Sequence, residues 1–150
     1  MRVFMVGFMG SGKSHHGKQL ADRLRFDFVD LDDVIEQQGR SIPAIFSDEG
    51  DFRFREIERD TLRALDKDDV VIATGGGTPC FHQNIEWMKE QGKVIYLKAP
   101  VDLLAERIRM NKEERPLVAD VADEELPAFV AQLLKERESW YVQAHLTYHI

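Results

Sequence analysis

Gly7-Phe8-Met9-Gly10-Ser11-Gly12-Lys13-Ser14 fits G-x-x-x-x-G-K-[ST], the pattern of a phosphate-binding loop. The chemistry asks for these residue types. Glycines let the chain curl until successive backbone N–H groups point inward at phosphate oxygens. In such a loop Lys13 reaches the β- and γ-phosphates of a nucleotide, and the Ser14 hydroxyl can ligate Mg²⁺. A helix starting here adds the positive end of its dipole. Nucleotide binding is the expectation.

Other residues with chemical capacity fall into several groups. Asp30 and Asp32 follow a β-prone run, and phosphoryl transfer needs both a metal partner and a group that orients the attacking hydroxyl. Alternation along an extended segment would put the two carboxylates on one side. An acidic helix start accounts for the same residues. Gly75-Gly76-Gly77 stands straight after a buried strand, which suits close backbone approach to a ligand or a loose turn. Arg55 and Glu58 sit three apart on one helix face and can pair. Arg107, Arg109, Arg115 and Arg137 all lie in the C-terminal half, and most arginines merely solvate helix surfaces. Arg115-Pro116 stands out, because its polar break is long enough to act as a lid. His15-His16 reads as a partly exposed pair in the first helical turn. Cys80 reads as a small loop residue.

Strands and helices must alternate to position these groups. A strand over residues 2–6 leads into the loop, and a helix over 13–25 leads out of it. A short strand over 26–29 empties into the acidic cluster. Ser41 is a plausible N-cap, with Pro43 in the first turn, for a short helix through Phe46. Gly50 breaks the chain before a helix over 51–65, whose apolar face carries Phe54, Ile57 and Leu62. Val70-Val71-Ile72-Ala73 is apolar throughout, as a strand covered on both faces should be. A helix over 84–91, a strand over 94–97, a helix over 101–110, a helix over about 124–139 and a strand over 146–150 complete the pattern. Such alternation implies an α/β three-layer sandwich with a five-stranded parallel sheet and ligands at the carboxyl ends of its strands.

The chain has 150 residues, one domain's worth, with 43% hydrophobic and 31% charged residues. A net charge of −7 argues against a broad nucleic-acid or anionic-membrane surface, so an anionic ligand must be held by local Lys and Arg groups. A lone cysteine excludes an internal disulfide and suits a reducing cytoplasm. No signal peptide is expected, nor a run near the ~20 apolar residues of a membrane span.

The motifs together resemble the shikimate kinase family over nearly the whole chain. The phosphate loop, Asp30-x-Asp32, Ser41-Ile-Pro-Ala-Ile-Phe, Phe54-Arg55-Glu56-x-Glu58, Thr74-Gly-Gly-Gly and Arg115-Pro116-Leu117 keep that family's order and approximate spacing. The resemblance implies a nucleoside-monophosphate-kinase-like fold with sheet order 2-3-1-4-5, a substrate-binding region around 31–60 and a lid around 110–122. It implies a cytoplasmic monomer that moves phosphate from ATP, with Mg²⁺, to the 3-hydroxyl of shikimate. By the same resemblance Gly10, Ser11, Gly12, Lys13, Ser14 and His15 contact the nucleotide, and Ser14 and Asp30 hold the metal. Asp32 binds and polarises the hydroxyl; Arg55 and Arg137 grip the substrate carboxylate, with Glu58 orienting Arg55. Gly76 and Gly77 line the substrate, Arg115 is the lid arginine and Arg107 packs on adenine. Three positions depart from the family pattern. His15 stands where Thr is usual, the lid is one residue longer before Arg115, and the sequence stops at Ile150, before an adenine-contacting loop and final helix. Another small-molecule kinase of this fold, for gluconate or a nucleotide, and a weakly catalytic ATP-binding module are the alternatives.

Overall fold

A computed structural model describes residues 1–150. Five strands form one parallel sheet: β1 (Arg2–Val6), β2 (Asp27–Asp30), β3 (Val70–Ala73), β4 (Lys93–Lys98) and β5 (Leu146–His149), in the order β2-β3-β1-β4-β5. Val3 pairs with Val71 on one side of β1 and with Lys93 on the other. The chain leaves β1 toward β2 and later crosses back to β4. The crevice beyond the carboxyl end of β1 is therefore the topological switch point where ligands bind in such sheets.

Period-two alternation decides which side chains face which layer. Val3, Met5, Val71 and Leu97 pack on one side with Ala21 of α1 (Lys13–Leu24). Phe4, Val6, Val70, Ile72, Val94 and Tyr96 join the larger core on the other side. That core takes Phe54 and Leu62 from α3 (Ile42–Ala64), Met88 from α4 (Asn84–Gln91), Ile108 from α5 (Val101–Met110) and Val130 from α6 (Leu126–Tyr141). Each fully buried Phe, Leu or Ile contributes ~1.5–3 kcal/mol through removal from water.

The elements follow the sequence expectation with four adjustments. A further helix, α2 (Leu31–Glu36), begins directly after β2, because Asp30 accepts a hydrogen bond from the Asp32 N–H at 3.0 Å and caps it. Asp30 and Asp32 are thus a cap and a first-turn residue, not alternating positions of a strand. The helix capped by Ser41, whose side chain accepts from the Ala44 N–H, runs past Phe46 to a kink at Gly50 (φ 84°) and continues to Ala64. The last helix starts after a 3-10 turn over Asp123–Glu125 and extends to Tyr141, held by burial of its terminal ring. Finally, β5 ends at His149, and all its side chains are exposed on the sheet edge.

Candidate active site

The phosphate loop joins β1 to α1 as expected. Gly10 and Gly12 take left-handed backbone angles (φ 82° and 94°), and Gly12 is the N-cap of α1. Lys13 is 9% exposed, and its Nζ donates to the Gly7 and Phe8 carbonyls at 2.7 and 2.9 Å. Burial and the Arg115 guanidinium push its pKa down to about 7, against the pull of Asp32 and Asp30. From α5, Arg107 Nη1 donates to the Gly10 carbonyl at 3.0 Å and so braces the loop. His15 is exposed and His16 half-buried, their rings meeting edge-on at 5.2 Å.

Ser14 Oγ donates to Asp30 Oδ2 at 2.6 Å. A hydroxyl and a carboxylate are hard oxygen donors, and this pair fits Mg²⁺, which keeps several waters and takes few protein ligands. Nowhere do three or more His, Cys, Asp or Glu side chains gather as a metal cage.

Two cavities meet beyond the strand ends. One, of about 520 Å³, is lined by the phosphate loop, His15, His16, Asp30, Arg107 and Asn111. The other, of about 620 Å³, is lined by Ile42, Pro43 and Phe46 of α3, by Arg55 and Glu58, and by Gly77 and Arg137. Met9, Asp32, Gly75, Gly76 and Arg115 belong to both walls. Asp32 at this junction is pushed up to about 7 by burial and by the neighbouring Asp30 and Glu58 carboxylates, with Lys13 opposing. Burial likewise lowers the Arg115 pKa, while Asp32 raises it.

The second cavity sets three arginines, Arg55, Arg115 and Arg137, among the carboxylates of Asp32, Glu36, Glu58, Glu113 and Glu114. Arg55 and Arg137 are each 6% exposed, and Arg55 Nε, Arg115 Nε and Arg137 Nη1 have no hydrogen-bond partner in the protein. Unpaired buried donors are costly, so guanidinium groups left this way are shaped for an anion. Arg55 is held from three sides. Its Nη1 donates to Glu58 Oε1 at 3.0 Å, its Nε lies 3.6 Å from Asp51, and its guanidinium stacks 4.2 Å over the Phe81 ring. Glu58 Oε2 accepts from Thr78 Oγ1 at 2.8 Å, which in turn accepts from the Gly75 N–H at 2.8 Å. A network of buried groups thus ties α3 to the glycine run. A Cβ on Gly77 would lie 2.6 Å from Arg55 Nη2, so only glycine leaves that guanidinium its place.

Of the residues singled out for chemistry in the sequence, Ser11, Cys80 and Arg109 line neither cavity, and Ser11 is fully buried with its Oγ unpartnered. Arg109 instead pairs with Glu106 on the outer face of α5. Cys80 ends a short turn over Thr78–Cys80, where burial pushes its thiol up to about 11 and leaves it unreactive. The sequence reading missed Thr78 and Tyr141, and it gave no individual role to Phe46, which ends the Ser41–Phe46 motif, or to Glu36, which falls within the 31–60 region. A threonine straight after the triple glycine was an available signal for Thr78. Tyr141, whose Oη donates to the Gly76 carbonyl at 2.5 Å, carried none.

The shikimate kinase family model matches residues 9–149. A shikimate kinase of Parabacteroides distasonis is 43% identical over 149 residues, which is 98% of this chain and 86% of the relative. The crystal structure of shikimate kinase from Bacteroides thetaiotaomicron superposes with a TM-score of 0.93 at 38% identity, covering 99% of this chain and 86% of the other. The Acinetobacter baumannii enzyme, solved in complex with shikimate, gives 0.92 at 38% identity, covering 99% and 83%. Two meeting cavities, a phosphate loop in one and guanidinium groups with unsatisfied donors in the other, agree with these likenesses: this chain belongs to the shikimate kinase family, whose members use ATP and Mg²⁺ to phosphorylate a hydroxyl of shikimate.

Proposed function

We propose a division of labour in which the smaller cavity takes ATP and the larger takes shikimate, so that the γ-phosphoryl crosses at their common wall. One observation carries this reading: Asp32 and Arg115 line both cavities, where an acceptor hydroxyl and a transferred phosphoryl would meet. Asp32 accepts the proton of the 3-hydroxyl and aligns it for in-line attack. A base near pH 7 is well matched to that task. Lys13 and Arg115 offset charge on the phosphoryl oxygens. Ser14 and Asp30 would hold Mg²⁺, which when bound neutralises phosphate charge. Gly10, Ser11, Gly12 and His15 contact the polyphosphate, and Arg107, already against the loop, flanks the base.

Arg55 and Arg137 grip the shikimate carboxylate, the planar anion a guanidinium fork fits best. Gly76 and Gly77 let the ring approach the backbone. Support comes from the unpaired donors of both arginines and from the A. baumannii relative, which binds shikimate. In this reading residues 31–60 form the substrate-binding part of a single kinase domain and residues 110–122 its lid. One chain lines both cavities, which suits a monomer, and the lone Cys80 suits a reducing cytoplasm. No helix is long and apolar enough to cross a membrane.

A coupled ADP-release assay tests the activity, with gluconate and nucleoside monophosphates as competing acceptors. Turnover should require shikimate. The carboxylate assignment is tested with an analogue whose carboxylate is reduced to an alcohol. Each charge-assisted contact is worth about 1.5–3 kcal/mol, so Arg55→Ala or Arg137→Ala should weaken shikimate binding by ~10- to 150-fold and ATP binding much less. The analogue should bind wild type poorly and lose little more on either mutation. Strictly additive losses would mean that the arginines do not read the carboxylate.

A further inference from the structure

Arg115 poses a positioning problem. Its side chain is half-buried and its Nε has no partner, so the backbone must aim it. That backbone belongs to no long helix or strand. It is a succession of turns: Glu114 N–H donates to Asn111 O at 3.2 Å, Arg115 N–H to Lys112 O at 3.1 Å, Val118 N–H to Arg115 O at 3.1 Å and Val121 N–H to Val118 O at 3.0 Å. Pro116, next to Arg115, has no N–H to give. A run of single-bond turns keeps its shape only if something fixes its two ends.

One side chain does so. Lys112 Nζ donates to the Val121 carbonyl at 2.7 Å and to Asp123 Oδ1 at 2.8 Å, across the mouth of the segment. It is only 22% exposed. Asp123 begins the 3-10 turn that leads into α6, so the bond also fixes the lid to the helix that carries Arg137. Inside the ring so closed, Val118 is fully buried in the core and serves as a second anchor. Arg115 lies between the clasp and that anchor.

We propose that Lys112 is a positioning residue for the phosphoryl-transfer step: by clasping the ends of the 112–123 segment it makes the lid one closed loop and presents Arg115 to the junction of the two cavities. The inference rests on the assignment of Arg115 to the transferred phosphoryl. Lys112 touches neither cavity wall itself and acts only through the loop. Its bond to Val121 is to a part-buried carbonyl, which a methionine of similar length cannot replace. The ion pair to half-exposed Asp123 contributes less.

The test combines kinetics with hydrogen exchange on Lys112→Met, Lys112→Arg, Asp123→Asn, Arg115→Ala and the Lys112→Met/Arg115→Ala double variant. Lys112→Met should lower kcat about tenfold, the weight of one charge-assisted hydrogen bond, with KM for shikimate changed less than about twofold. Amides of Arg115, Val118 and Val121 should exchange faster, while those of β1 and β3 keep their protection. Lys112→Arg should restore most of the rate, and Asp123→Asn should cost less than about threefold. The double variant should be no slower than Arg115→Ala alone, since both changes remove one function. A full extra tenfold loss in the double variant, or unchanged lid exchange in Lys112→Met, overturns the proposal. If Arg115→Ala itself leaves kcat unchanged, the assignment of Arg115 falls first. If Arg115→Ala is slow and Lys112→Met is not, the clasp alone is wrong.

Discussion

Asp32 and Lys13 face each other electrostatically across the cavity junction, and each is displaced toward the same value. Burial, Asp30 and Glu58 raise Asp32 to about 7, and burial with Arg115 lowers Lys13 to about 7. In the proposed mechanism Asp32 is the base and works only when ionised, so kcat/KM should rise with pH through about 7. Lys13 works only when protonated, so kcat/KM for ATP should fall again above about 7. Bound phosphates favour the charged ammonium, so the alkaline fall should be absent from kcat. The apparent values belong to the coupled pair. Asp32→Asn should lose ~10²–10⁴-fold in kcat together with the acid limb. The same residue opposes folding. A raised carboxyl pKa gives stability that is present below the ordinary value of 3.8 and lost as pH rises through about 7. Asp32→Asn should therefore melt higher than wild type at pH 8, with the gain vanishing below pH 4. Equal melting at both pH values would mean that Asp32 is not desolvated.

At the scale of elements, the loop after β3 and the second limb of α3 are fitted to each other through the site. Gly77 backbone lies under the Arg55 guanidinium, and the Thr78 hydroxyl bridges Gly75 to Glu58. Gly77 has ordinary helical angles (φ −96°, ψ −6°), so alanine suits its backbone. The added methyl collides with the far end of a flexible side chain, at 2.6 Å from Nη2 and 2.7 Å from Nη1. Gly77→Ala should therefore fold, push Arg55 aside and raise KM for shikimate more than about tenfold, with KM for ATP near wild type. A comparable rise in both constants would show that the loop itself had moved. Each part of this arrangement was partly legible. The pairing of Arg55 with Glu58 follows from helical spacing, a purely local rule. Their meeting with Thr78 depends on β2 lying beside β3, which no local spacing encodes.

At the scale of the molecule, an acidic protein holds anions by concentrating its buried cations in one crevice. Lys13, Arg55 and Arg137 are buried although the net charge is −7. Arg115 and Arg137 repel the Lys13 ammonium, and an arriving anion relieves that repulsion, so nucleotide should stabilise the fold by mass action. At a hundredfold excess over Kd the gain is ~2.7 kcal/mol, a rise in Tm of roughly 5–10 °C for a domain of this size. Lys13→Ala should lose most of that shift. An undiminished shift in that variant would place the polyphosphate elsewhere.

Two kinds of information meet in this site. The sequence alone determined the phosphate loop, because its shape is set by contiguous residues: glycines that tolerate left-handed angles, and a helix start that leaves N–H groups free. It also determined the strand–helix alternation, since a strand buried on both faces must be apolar throughout. Motif order then sufficed for the family. The tertiary structure decided what surrounds each arginine. Arg109 and Arg137 look alike as text, yet one pairs with Glu106 at the surface and the other is buried with a free Nη1. It decided that Tyr141 donates to the Gly76 carbonyl and that Lys112 Nζ reaches the Val121 carbonyl. Such contacts join residues far apart in the chain, and their partners are chosen by how helices pack on the sheet. Periodicity tells each helix which face to bury; only the packed layers tell it against what.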